Sequence, residues 1–411
     1  MILTQAALFW TPLGILGISL YLGLMTLFSG LAADQVEGSN DLRIYRATGE
    51  AMLRGEIPYR DFFIEYPPGS FVTFVPPALL STTASGFAGR FASEMALLIV
   101  ASLILVALTA RKNGGLRSWA IPALTYTTGA LLLYPVAVTR YDAVVAFTLA
   151  FAAWCAVLGG RYRLLGYVAL GLGAAAKLVP VLATLPLALV RRDGDRSVSQ
   201  AVWGYGTFFV VVATFFLPAY LLGGEDLTRS FAYHANRGLQ VESLGASVLT
   251  KLGLVTDVRF AYGAFEVQGS GTDLLSSLSF PVTAALLLLT ALFVYREYRL
   301  GRLDAARFPR YAAALILAFM LGSKVLSPQY VVWLLPLVPL AFGGFNGVGV
   351  SVVFLAACWT TTQVYPNHYA DLLAGRPPGA ELLLTRNFLL AALWAAMLFL
   401  PSQYREKAVS P

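Results

Sequence analysis

What most constrains this chain is the recurrence, along its whole length, of apolar runs long enough to cross a hydrocarbon layer of roughly 30 Å. No water reaches backbone N–H and C=O groups in such a layer, so each run must satisfy its own, and helices do this. The runs fall near 8–31, 91–110, 118–137, 143–159, 164–176, 178–190, 201–222, 274–295, 311–323, 329–342, 347–364 and 384–400. The expected fold is an all-α polytopic membrane protein of about twelve transmembrane helices. Nothing polar, repetitive or of low complexity marks off a second unit, so residues 1–411 are read as one domain. The first run is too long for a secretory signal and is expected to be retained as a helix.

Some stretches break the pattern. Ser70 to Leu80, bracketed by Pro67, Pro68, Pro76 and Pro77, is too short to cross and is expected to form re-entrant or interfacial helices within the first outer loop. Runs 164–176 and 178–190 are also short, which suggests a helical hairpin broken near Lys177 and Pro180. Cys155 and Cys358 each lie inside an apolar run and read as small hydrophobes, not as a disulfide or a metal pair.

Charge gives the sidedness. With the N-terminus inside, the loops 111–117, 161–163, 191–196, 296–310 and 405–407 hold 15 basic and 5 acidic residues, against 14 basic and 17 acidic elsewhere. Cytoplasmic loops collect Lys and Arg, so both termini are expected in the cytoplasm of a multi-pass cytoplasmic-membrane protein. The isoelectric point near 9.3 is then a topology signal and not a nucleic-acid footprint. The polar segments 32–70, Thr139 to Asp142, 223–273 and 365–383 all fall outside, where they can converge over one cavity. The densest is Asn40 to Pro68, NDLRIYRATGEAMLRGEIPYRDFFIEYPP, with charges and aromatic rings interleaved directly after a hydrophobic run. An ionised side chain in hydrocarbon costs several kcal/mol, so such a cluster beside the membrane reads as an active site. Lys177 and Lys324 sit at the outer ends of their runs, where a cation snorkels or meets an anion.

The order DLRIYR, GEIPYRDF, EYPP, RYD, AAKLVP, HANRGLQVES and KVLSPQYVVW, spread over nearly the whole chain, resembles glycosyltransferase family 87 of the GT-C superfamily, which uses polyprenyl-phosphate sugars. The resemblance implies a GT-C-like bundle whose outer loops 32–90 and 223–273 form the catalytic face. It also implies inverting transfer of a hexose, mannose above all, from a polyprenyl-phosphate donor to a glycolipid or glycan acceptor outside the membrane. Inverting transfer needs one carboxylate to take the acceptor's proton. Asp41 resembles the family's base, with Asp34 as its rival; Asp41 also suits an N-cap before the helical stretch Leu42 to Leu53.

The leaving phosphate needs fixed cations. Lys177, Lys324, Arg140 and Arg237 are the candidates, with His234 as a weaker partner. For Arg140 and Asp142 the plainer alternative is an ion pair within their turn. Tyr45, Tyr59 and Tyr66 can stack on a sugar or form an interfacial belt. Glu65 can bind the acceptor or pair with Arg60, and the loop that carries Gln240 and Glu242 is long enough to close over a substrate. Arg46, Asp142, Gln329 and Tyr330 complete the expected sugar and acceptor contacts; mannosyltransferases of the family place a histidine where Gln329 and Tyr330 stand here.

With only His234 and His368, imidazoles cannot build a metal site. Carboxylate-only binding through Asp34, Glu37, Asp41 or Glu65 is allowed but not demanded, so no metal and no cofactor beyond the lipid-linked donor is expected. The alternative from another class is a transporter or lipid-linked sugar flippase, which would favour two related halves; no internal repeat is visible.

Overall fold

The computed structural model describes residues 40–115, 118–190 and 198–401. The first apolar run, Asp34 and Glu37 lie outside these residues.

The protein is a largely helical, multi-pass membrane protein. Among the described residues six helices are long and apolar enough to cross a membrane: Ala84–Gly114, Gln200–Gly223, Thr272–Arg299, Ala305–Gly322, Gly344–Asn367 and Gly379–Phe399. They play unequal parts. Ala305–Gly322 has 78% of its apolar window buried, whereas Gln200–Gly223 and Thr272–Arg299 have 11%; the first is the axis of the core, and the other two turn their apolar surface outward, as lipid-facing helices do. Arg310 on the central helix is buried, and its guanidinium donates to the carbonyls of Met397 (2.6 Å) and Leu400 (2.8 Å). It thus caps the free carbonyl end of the last helix, where a cation is favoured.

Two apolar runs are less regular than a spanning helix. Run 329–342 folds as the 3-10 segments Pro328–Leu334 and Val338–Leu340, and run 178–190 as the 3-10 turn Val179–Ala183 followed by the short helix Thr184–Leu189. Pro328, Pro336 and Pro339 in one, and Pro180 and Pro186 in the other, each lack an amide donor and clash with an α-helical predecessor. Such backbone survives at membrane depth only when protein covers it, and Val331, Trp333, Leu335 and Leu337 are indeed fully buried. The chain breaks after Tyr162–Ala176 at Lys177, whose backbone is extended. Ser70 to Leu80 takes in the end of the 3-10 turn Pro68–Thr73 and the short helix Val75–Leu79. Gly69 lies so close to the Ala175 backbone that a Cβ there would meet it at 2.5 Å, which pins the first polar loop against the end of the helix that precedes Lys177.

The all-α expectation needs one correction. Val255–Ala261 and Ala264–Gly269 form an antiparallel hairpin. Its two-residue turn, Tyr262 (φ 48°) and Gly263 (φ 71°), has both residues in the left-handed region, as a tight hairpin whose turn matches strand twist requires. The second strand also exchanges backbone bonds with the segment before it, Val241 to Phe265 and Val267 to Leu239 (both 2.9 Å). Leu239, Val241, Leu249, Val267, Val364, Leu372 and Leu383 make a small second core beneath it, joining segments 223–273 and 365–383.

Candidate active site

The helix Asn40–Leu53 carries Asp41 in its first turn, where a carboxylate favours the positive end of the helix dipole. The carboxylate faces the Thr139 to Asp142 turn, not its own helix. Its Oδ2 lies 2.8 Å from a guanidinium nitrogen of Arg140, and Tyr66 donates its hydroxyl to Oδ1 at 3.0 Å. Arg140 is 8% exposed, and it also donates to the Thr139 carbonyl and to the Tyr365 hydroxyl at 3.4 Å. The Asp41 side chain keeps 30% of its surface open. With one described partner on each oxygen, the carboxylate retains lone-pair capacity, and part of the side chain is accessible.

Two residues along the same turn, Asp142 is 1% exposed and takes both the Lys177 ammonium (2.7 Å) and the Trp333 indole N–H (2.6 Å) on Oδ1. Among the described residues its Oδ2 has no hydrogen-bond partner. Lys177 sits 5.0–5.2 Å from the ring centres of Tyr141, Tyr330 and Trp333, a three-sided aromatic surround that favours a cation. The Tyr141 ring bridges the two charge pairs, since it also packs edge-on against Tyr66 at 5.5 Å. In place of the alternative reading, an Arg140 to Asp142 pair within the turn, the structure has two longer-range pairs, Arg140 with Asp41 and Lys177 with Asp142.

Other candidates sit as follows. Tyr45 is buried, stacked on Phe74 at 4.4 Å with further rings around it, so it is core packing and leaves no face for a sugar. Tyr59 is likewise buried, donating its hydroxyl to the Tyr66 carbonyl at 2.6 Å. Arg46 pairs with Glu50 one turn along its helix. Glu65 does not pair with Arg60, which binds its neighbour Asp61 instead. Burial first, and the nearby Asp41 charge next among the raising causes, hold the Glu65 carboxyl above the usual carboxylate range. The His234 ring meets the Glu65 carbonyl at 3.1 Å.

Lys324 forms no ion pair with Asp41 or with any other carboxylate among the described residues. Its ammonium donates to the carbonyls of Ala235 and Arg237, closing the end of helix Glu225–Ala235. Gln240 is a clamp, accepting from the Leu326 amide at 2.7 Å. Glu242 is not a surface contact for a sugar: it is buried against Arg386 at 3.1 Å. Tyr330 stacks on Trp333 at 4.1 Å, and Gln329 is half-buried beside it. Asp41, Tyr66, Arg140, Asp142, Lys177 and Tyr330 therefore come together, while Tyr45, Tyr59, Arg46 and Glu242 do other work. Tyr141, Trp333 and Tyr365 were not expected at the site. The first two adjoin expected residues in RYD and SPQYVVW; Tyr365 carried no signal.

The sequence matches the family model described as "Glycosyltransferase family 87" over residues 63–328. That span includes Arg140, Lys177 and Lys324, and Asp41 lies before it. No curated protein matches the chain. Among solved structures, ArnT from Cupriavidus metallidurans in the apo state superposes with a TM-score of 0.50 and 15% identity, over 96% of this chain and 78% of that one. At that identity the likeness speaks for the fold.

Proposed function

The chain belongs to glycosyltransferase family 87, and from that membership we propose that it moves a hexose, mannose above all, from a polyprenyl-phosphate donor to a glycolipid or glycan acceptor at the outer face of the cytoplasmic membrane. The observation that carries this reading is the half-open Asp41 carboxylate, held by Arg140 and Tyr66 beside the caged Lys177. In the reaction the acceptor hydroxyl oxygen attacks the anomeric carbon and loses its proton to Asp41. The bond from that carbon to the phosphate oxygen breaks on the opposite face, and polyprenyl phosphate departs. Arg140 and Lys177 are the cations that meet its growing charge, already desolvated and fixed before the phosphate arrives. Lys177 spends one of its three donors on Asp142, which leaves two for a ligand.

The asymmetry of basic loops supports an outer active site and cytoplasmic termini. No step of this transfer calls for a metal or a further cofactor.

The test uses membranes that contain the protein, radiolabelled polyprenyl-phosphate mannose and an endogenous glycolipid fraction. Label should pass to the glycolipid, and Asp41→Asn should abolish transfer while the amount of folded protein is unchanged. Turnover by Asp41→Asn would remove Asp41 as the base; transfer from a nucleotide-sugar donor alone would remove the lipid-linked donor.

A further inference from the structure

Beside the Asp41 cluster lies a second feature that this chemistry does not use. A cleft of about 280 Å³ opens between the hairpin, the segment after helix Glu225–Ala235 and the first turn of Thr272–Arg299. Its lining is polar: Asn236, Arg237, Arg259, Glu266, Gln268 and Asp273 contribute to it. Arg259 and Glu266 are directly opposite in the hairpin register, an arrangement that ordinarily brings opposite charges together. No ion pair forms between them. Glu266 is buried and accepts from the Gly238 amide at 2.8 Å, and a Cβ on Gly238 would meet its other oxygen at 2.5 Å. The glycine is what lets the backbone come close enough to hold the carboxylate. The side chains of Arg237, Arg259 and Asp273 make no hydrogen bond or ion pair with other described residues.

A cleft with two guanidinium groups and two carboxylates has little net charge but is rich in both donors and acceptors. Vicinal hydroxyls match that mixture, since each can donate to a carboxylate and accept from a guanidinium. A free anion would meet the two carboxylates, and a lipid tail would find too little apolar wall. The volume is near the low end of the roughly 300–1,000 Å³ of ligand clefts, the scale of a saccharide unit. The hairpin turn connects the cleft to the site: Gly263 lies within about 4.0 Å of a Glu65 carboxylate oxygen and 3.3 Å of the Tyr233 hydroxyl, measured from where its Cβ would stand.

We infer that this cleft binds a neutral saccharide unit of the acceptor, with Arg259 and Asp273 as its hydroxyl contacts beside the buried Glu266 carboxylate. The inference rests on the glycosyl-transfer reading above and names the acceptor's chemical class. Its test is saturation-transfer NMR on the full-length protein in detergent micelles, with methyl α-mannobioside and methyl β-lactoside as neutral probes and inorganic phosphate as competitor. At least one glycoside should bind; Arg259→Ala and Asp273→Asn, both at exposed positions, should each weaken it about ten- to a hundred-fold with an unchanged thermal midpoint. Phosphate should not displace it. Failure of both glycosides to bind, equal binding by both variants, or displacement by phosphate would overturn the inference. The mannose-transfer assay separates the two claims. Transfer with an acceptor KM indifferent to both substitutions removes the cleft and keeps the transferase, whereas variant-sensitive glycoside binding without any transfer keeps the cleft and removes the transferase.

Discussion

Two arginine–carboxylate pairs in this protein have nearly the same geometry and opposite surroundings. Arg140 meets Asp41 at 2.8 Å with the Asp41 side chain 30% open, and Arg386 meets Glu242 at 3.1 Å with the two side chains 0% and 2% exposed. The closed pair is also saturated. Arg386 donates to the Glu242 carbonyl at 2.6 Å and to the Asn387 side chain, and Asn387 in turn donates to Ser247 at 3.0 Å. Nothing is left for a substrate, and the pair fastens the loop that carries Glu242 to the last long helix. The open pair has spare acceptor capacity and one accessible side. A buried charge pair becomes a chemical device only when part of its hydrogen-bonding capacity stays unspent and reachable.

The same substitution should therefore do different damage at the two sites. Arg386→Met leaves Glu242 uncompensated in a dry environment, at a cost of about 3–5 kcal/mol of stability, which is a large share of what a folded chain has. The thermal midpoint in detergent should fall steeply, and the double substitution Arg386→Met with Glu242→Leu should recover much of the loss. A small shift for the single variant would mean that water reaches the pair.

Arg140→Met exposes no such problem, because solvent can hydrate Asp41 on its open side. Its effect should be on turnover: loss of one preorganised charge at a reacting group lowers kcat by about 10²–10³, with the thermal midpoint little changed. A variant that loses stability and keeps its rate would place Arg140 in the structural class with Arg386.

Between these extremes stands Asp142, fully buried but with one oxygen unpartnered among the described residues. Trp333→Phe removes the shorter of its two donors and should cost about 1–3 kcal/mol, seen as a lower midpoint, together with a raised KM for the sugar donor as Asp142, the partner that positions Lys177, loses a restraint. An unchanged KM would separate Lys177 from donor binding.

What the sequence disclosed follows the same division. The membrane class, the break at Lys177 and the convergence of the first polar loop on RYD were legible, because apolar length and misplaced charge are local signals. The hairpin was not. Its Tyr-Gly turn is a weak signal beside Asn-Gly, and its exposed outer face lacks the alternation that marks a strand. The proline-rich runs 178–190 and 329–342 have the composition of spans, and only tertiary packing shows that protein encloses 329–342. Arg386 carried the same signal as Lys177, a cation inside an apolar run, yet only the lysines were read as functional. Tyr45 and Glu242 misled because residue type says what a side chain can do, not whether its surface remains open.

The gentlest separation of open from closed groups comes from Glu65, a half-buried carboxylate at the edge of the site. Burial raises its carboxyl above the range of the unfolded chain, with the Asp41 charge adding to the effect, so the folded state holds this proton more tightly than the unfolded state does. The stability it contributes is complete below the unfolded carboxylate pKa, and it is lost as pH rises through the raised folded value. Glu65→Gln, neutral at every pH, should therefore flatten the decline of the thermal midpoint across that interval, by less than any effect above. Asp41→Asn should flatten it slightly as well, since removing that charge lowers the Glu65 carboxyl toward the unfolded range. A pH profile identical in the parent protein and Glu65→Gln would show that water screens Glu65 fully and that the site is more open than its packing indicates.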